Sequence, residues 1–160
     1  MARRRPELYL KEDLVLDFFY VFSRFEYALK RTGFAKKQGR DGVAADWDAF
    51  AIEIENRGPD LEKVLTAGRY ILKSPPNKQI LEGRELSWKP ARPTQSPIQD
   101  LLIYVRRVRN NLFHGGKYPA GPEPDTARDE DLLRASIAVL DAVLGLSCSL
   151  ELRGNFEWDG

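Results

Sequence analysis

Residues 96–116 read SPIQDLLIYVRRVRNNLFHGG, from Ser96 to Gly116. A serine able to accept a hydrogen bond from the first helical turn, followed by a proline whose φ suits position one, marks a helix start. Ile98, Leu101, Leu102, Val105, Val108 and Leu112 then fall within one apolar sector at helical spacing, and Gly115-Gly116 closes the run. Arg109 follows Ile98 by eleven residues, so it projects about 20° from it, in the middle of that sector. A guanidinium there is costly unless a carboxylate and hydrogen bonds meet it. Glu26, beside Phe22 and Phe25 on an earlier apolar face, is the best candidate partner. Otherwise Arg109 belongs to a structural ion pair or snorkels to solvent.

His114 is the only histidine of the chain. On a regular helix it diverges from Arg109 by about 140° and shares a face with Asn110 and, roughly, Ile103. Ile103, Tyr104 and Phe113 interrupt the polarity of that second side. A helix with apolar residues on two sides usually touches two things, and here the second can be another copy of the chain. An imidazole, whose ordinary pKa is near ~6.5, exchanges protons at neutral pH, and with a permanent cation nearby it suits proton transfer at a phosphate. The same position equally suits a residue interacting with the helix dipole.

Outward from this stretch, other helices are expected. The first runs over about 12–31, with Leu14, Phe18, Val21, Phe22, Phe25 and Leu29 as an aromatic-rich stripe and Gly33 after its end. A second is expected over about 44–55, with Trp47, Phe50, Ala51 and Ile54 inward, and a third over 60–72, stopped by Pro75-Pro76. Last comes a helix over about 128–146. Residues 36–42 read as a basic loop, either a solvated charge run or an RNA-backbone contact. Residues 74–95 read as a long proline-rich connection, with Trp88 pinning it to the body; such loops are often functional or mobile. The tail, 147–160, alternates weakly and suits a strand or an added turn. The fold class is therefore all-α: a compact bundle of about five helices, one domain over 1–160 with its core at about 10–146.

Twenty-five Lys+Arg against 24 Asp+Glu leave a formal charge of +1, so there is no general basic field and any phosphate contact comes from local clusters. Arg3, Arg4 and Arg5 are one such cluster, expected as a frayed, solvated terminus. One cysteine, Cys148, excludes an intramolecular disulfide, and one Cys with one His cannot build a Cys/His zinc site. No metal or cofactor is expected, and without a phosphate-binding glycine motif, phosphate chemistry would fall to side chains. No apolar run approaches the roughly 20 residues of a membrane span, which points to a cytoplasmic protein.

Arg109-Asn110-Asn111-Leu112-Phe113-His114 resembles the motif of the HEPN superfamily (higher eukaryotes and prokaryotes nucleotide-binding domains). That motif is an arginine, usually followed by Asn, Asp or His, and a histidine after four to six intervening residues. Residues 107–117 and 22–30 look like the HEPN proteins of prokaryotic defence and toxin–antitoxin loci, and the likeness spans most of 10–146. The resemblance implies a helical bundle that dimerises with its motif helices facing one another. In active members it implies a metal-independent endoribonuclease. On that basis Arg109 holds the scissile phosphate and His114 acts as general base or acid for 2′-hydroxyl attack. Asn110 orients the phosphate or imidazole, and Glu26 holds Arg109. Arg106, Lys36, Lys37 and Arg40 are candidates for RNA-backbone contact; Asn111, Lys117 and Tyr118 are secondary candidates. In one toxin subgroup a tyrosine stands two residues after the histidine; here Gly116 stands there and Tyr118 follows later. RNA, a second copy and a restraining antitoxin or neighbouring protein are the implied partners. The alternative is a HEPN-like module that binds RNA, nucleotide or protein without turnover. One histidine per chain is thin for two proton transfers, and a symmetric pair would supply both.

Overall fold

The aromatic stripe of the first helix forms the centre of the fold in a computed structural model, which describes residues 9–58, 60–114 and 125–157. That helix, α1 (Glu12–Arg31), buries Phe18, Val21, Phe22, Phe25, Ala28 and Leu29, and Gly33 follows it at φ 92°. It is followed by β1 (Ala35–Gln38) and β2 (Gly42–Ala45), then α2 (Trp47–Arg57), α3 (Leu61–Ala67) and α4 (Arg69–Lys73). Next come β3 (Lys78–Glu82), β4 (Glu85–Lys89), α5 (Pro97–Phe113) and α6 (Thr126–Leu144). A 3-10 turn at Ser147–Ser149 leads into α7 (Leu150–Glu157).

The protein is mostly helical, though not purely so. Seven helices, not about five, lie among the described residues, with two antiparallel hairpins. The expected 60–72 helix breaks at Gly68, where a Cβ would come within 2.3 Å of Leu101 Cδ2. The tail adds a helix rather than a strand. Its position is fixed by Arg24, whose Nε donates to the Phe156 carbonyl at 2.9 Å.

The 36–42 loop is the middle of a hairpin pairing Ala35 with Ala45 and Gln38 with Gly42. Ala44, expected to begin a helix, belongs to β2, and α2 starts after Asp46, whose carboxylate accepts from Ala49 N at 3.2 Å. The proline-rich 74–95 segment likewise holds β3 and β4, turned by Gly83 at φ 63° in a two-residue connection suited to that backbone. Trp88 does not pin this segment down; it stands 37% exposed on β4.

The core is one continuous cluster of buried side chains. α1 packs on α6 and α7, while α5 packs on α2, α3, α4 and α6. Trp47 inserts between α1 and α2, its ring stacked on Phe25 at 5.2 Å and on Phe22 at 5.4 Å. The start of α5 is the one its sequence calls for: Ser96 Oγ accepts from Gln99 N at 3.1 Å, ahead of Pro97. No single helix among the described residues is long and apolar enough to cross a membrane.

Candidate functional site

The last two turns of α5 present three different sides, and what each touches defines the site. On one side, Arg107 Nη1 donates to the Pro76 carbonyl at 3.1 Å and Asn111 Nδ2 to the Asn77 carbonyl at 2.8 Å. These bonds fasten the root of the β3–β4 hairpin to α5. Burial pushes the Arg107 guanidinium below its ordinary pKa, opposed by Tyr104, but an arginine remains charged at any cellular pH. Asn111 is itself buried, so its role is to hold the hairpin rather than to meet a substrate.

On the opposite side, Arg109 lies over two aromatic rings, 5.0 Å from the centroid of Phe113 and 5.8 Å from that of Phe22. This resolves the cost of a guanidinium in an apolar stripe: the ring faces carry negative charge density and leave its N–H groups free to point outward. The expected ion pair with Glu26 is not formed. Glu26 Oε1 instead accepts from the Trp47 indole at 2.9 Å, and Arg109 Nη1 donates to Asn110 Oδ1 at 3.0 Å.

Between these sides lies the third, carrying Ile103, Arg106, Asn110 and His114 at spacings of three and four residues. All four face one open cleft of about 700 Å³. Its walls are α1 (Phe22, Glu26), the β1–β2 hairpin (Lys36, Ala44, Ala45), Trp47, and the hairpin root (Lys78, Gln79). His114 caps α5, donating its backbone N–H to the Asn110 carbonyl at 2.9 Å, and its side is exposed.

The cleft lining includes five cations, Lys36, Lys78, Arg106, Arg107 and Arg109, against one carboxylate, Glu26. In a chain of net charge +1 this is a local concentration of positive charge, and concave walls focus such a field. Asp48 tempers the rim: its carboxylate lies 3.2 Å from Arg106 Nη2 and 3.7 Å from Lys36 Nζ, and Asp46 lies 3.6 Å from Lys36. Such exposed pairs are weak and exchange readily with a competing anion.

The structure thus gathers Arg109, Asn110, His114, Arg106, Lys36, Asn111 and Glu26 around one cleft. Lys37 and Arg40 are exposed on the β1–β2 hairpin and do not line it. Lys117 and Tyr118 lie outside the described residues, as do Arg3, Arg4 and Arg5. Lys78, Gln79 and Trp47 were not anticipated as cleft residues. The Gly83-Arg84 pair between Leu81 and Leu86 was the signal that would have turned residues 78–89 into a hairpin. Comparison of the chain with protein-family models, with curated proteins and with solved structures gave no match.

Proposed function

We propose that the protein is a HEPN-type endoribonuclease working as a homodimer in the cytoplasm, with the role of a toxin or defence effector. The observation that carries this reading is that Arg109, Asn110 and His114 border one open, cation-rich cleft with Arg106 and Lys36. In the proposed reaction an imidazole removes the proton of a ribose 2′-hydroxyl, whose oxygen attacks the adjacent phosphorus. Arg109 stabilises the charge gathering on the phosphoryl oxygens, a role for which its fixed, planar donors are suited. A second imidazole protonates the departing 5′-oxygen, leaving a 2′,3′-cyclic phosphate and a 5′-hydroxyl. Each chain has one histidine, and in this reading the second imidazole comes from the second copy. No resident metal enters these steps. Glu26 supports the cleft by holding Trp47, not Arg109. Such an enzyme needs restraint in its cell, and an antitoxin or neighbouring protein is the partner this reading calls for.

A second reading is a module that binds RNA or a nucleotide without turnover. It is favoured by one observation: the five cations lining the cleft suit a phosphate-bearing ligand whether or not it is cut. Purified protein incubated with mixed RNA in the presence of chelator separates the two. The nuclease reading expects cleavage that His114→Ala and Arg109→Ala each abolish with the dimer intact. Equal cleavage by variants and parent would rule the site out.

A further inference from the structure

The β3–β4 hairpin stands beside the cleft, its root fixed to the end of α5 by the Arg107 and Asn111 bonds to the Pro76 and Asn77 carbonyls. Lys78 and Gln79, the first residues of β3, both line the cleft. Their register partners on β4 are Lys89 and Trp88. Both pairs carry a cost in water. Lys78 and Lys89 set like charges directly opposite one another, which destabilises a strand pair, and neither has an ion-pair partner among the described residues. Trp88 stands 37% exposed on the face it shares with Gln79, and Leu81 and Leu86 continue that face outward at 66% and 72% exposure. The carboxylates of the hairpin, Glu82 and Glu85, are opposite each other at its far end, so its root is purely cationic. A ligand that presents both negative charge and flat apolar faces would relieve the two costs together.

We propose that the hairpin root is a base-stacking platform for single-stranded RNA: the Trp88 indole takes a base of the strand whose phosphates lie in the cleft beside Lys78. The inference rests on the reading of the cleft as an RNA site and extends it to how the strand is held, whether or not it is cut. Trp88 lies one strand spacing, about 4.8 Å, outward of Gln79, so a nucleotide leaving the cleft past Lys78 and Gln79 meets its ring. Proteins that hold single strands combine a cationic groove for the backbone with aromatic faces for the bases. Here the five cations of the cleft supply the first and Trp88 the second. An acidic peptide would satisfy the lysines but offers the indole no stacking base. A duplex keeps its bases paired and stacked within, so the platform selects an unpaired strand.

The test is fluorescence anisotropy of a labelled 2′-O-methyl strand of about ten nucleotides, titrated with the full chain. Lacking the nucleophilic hydroxyl, this strand is bound without being cut. Trp88→Val removes the ring but keeps a β-branched residue suited to a strand, and circular dichroism checks the fold. It is expected to bind about 5- to 150-fold more weakly than the parent, the loss of one stacked base, with an unchanged dependence on salt. Trp88→Phe restores most of the affinity, whereas Lys78→Gln lowers the salt slope by about one. On an abasic strand of the same length, Trp88→Val and the parent bind alike. A parent that does not bind the strand, a Val variant that binds like the parent, or an equal loss on the abasic strand overturns the proposal. So does a Phe variant as weak as the Val variant, or an unchanged slope for Lys78→Gln. A Val variant with parental RNA binding but altered sedimentation also overturns it, giving this face to a protein partner. Because the strand is never cut in this assay, cleavage of ordinary RNA that His114→Ala leaves undiminished sinks the nuclease reading and leaves the platform standing.

Discussion

Two substitutions at Glu26 test whether its carboxylate holds Trp47 or Arg109. Its Oε1 accepts the Trp47 indole N–H at 2.9 Å, and Trp47 is 2% exposed between Phe22 and Phe25. A hydrogen bond to a charged acceptor contributes about 1.5–3 kcal/mol, and removing the acceptor leaves the indole N–H unsatisfied. Glu26→Ala is therefore expected to destabilise the fold by about 1.5–3 kcal/mol. At this chain length that lowers Tm by about 4–10 °C. Glu26→Gln keeps a carbonyl oxygen in the same place and is expected to stay within about 1 kcal/mol of the parent. The assay is thermal unfolding followed by near-ultraviolet circular dichroism, which senses the tryptophan directly. RNA cleavage by the same proteins completes the comparison, and Glu26→Gln should retain most of the parent activity. A Gln variant as unstable as the Ala variant would refute the hydrogen-bond argument. A Gln variant of parental stability but as inactive as Arg109→Ala would return Glu26 to the role of arginine anchor.

Two further outcomes follow from the packing and from the charges. Gly68→Ala is expected to cost about 1–3 kcal/mol by overpacking, because its Cβ would lie 2.3 and 2.6 Å from the two methyl carbons of fully buried Leu101. The helix propensity gained by removing a glycine, about 1 kcal/mol at most, opposes this but does not outweigh it. Urea unfolding with an unchanged m value and a higher midpoint than the parent would contradict the close approach of α5. Asp141, on the exposed side of α6, has its carboxyl pKa raised, first by partial desolvation and then by Asp17 across the α1–α6 contact. The native carboxyl thus binds its proton more tightly than the unfolded one, so stability falls as pH rises through that range. Because the side is exposed and screened, Asp141→Asn should stabilise the protein only slightly at pH 7, more at low than at high salt, with the gain vanishing below the ordinary aspartate value near ~3.9. A gain that persists at lower pH would mean a packing effect instead.

How much of this was legible in the chain depended on whether the signal was local. The bounds of α1 and the start of α5 follow from periodicity, a serine cap and a proline, all short-range, and they stand where expected. The motif's placement at the end of α5 followed from the same pattern. Both hairpins escaped because their strands are mostly exposed, so burial imposes no clear alternation, and prolines around 78–89 suggested a loop. The break at Gly68 is set by Leu101, 33 positions away, which no local pattern reveals. Arg109 was correctly flagged as anomalous on its helix face, but its compensation came from aromatic rings rather than from a carboxylate. Periodicity identifies a face; it does not choose among the groups that can meet it.

In the proposed reaction paired imidazoles, each beside a guanidinium, cut a ribonucleotide strand by 2′-hydroxyl attack. The most direct measurement is the end chemistry of the RNA fragments made by the purified protein in chelator, alongside His114→Ala. Such chemistry leaves 2′,3′-cyclic phosphate and 5′-hydroxyl ends from the parent and none from the variant. Fragments carrying 5′-phosphate and 3′-hydroxyl ends, or undiminished cleavage by His114→Ala, would contradict it.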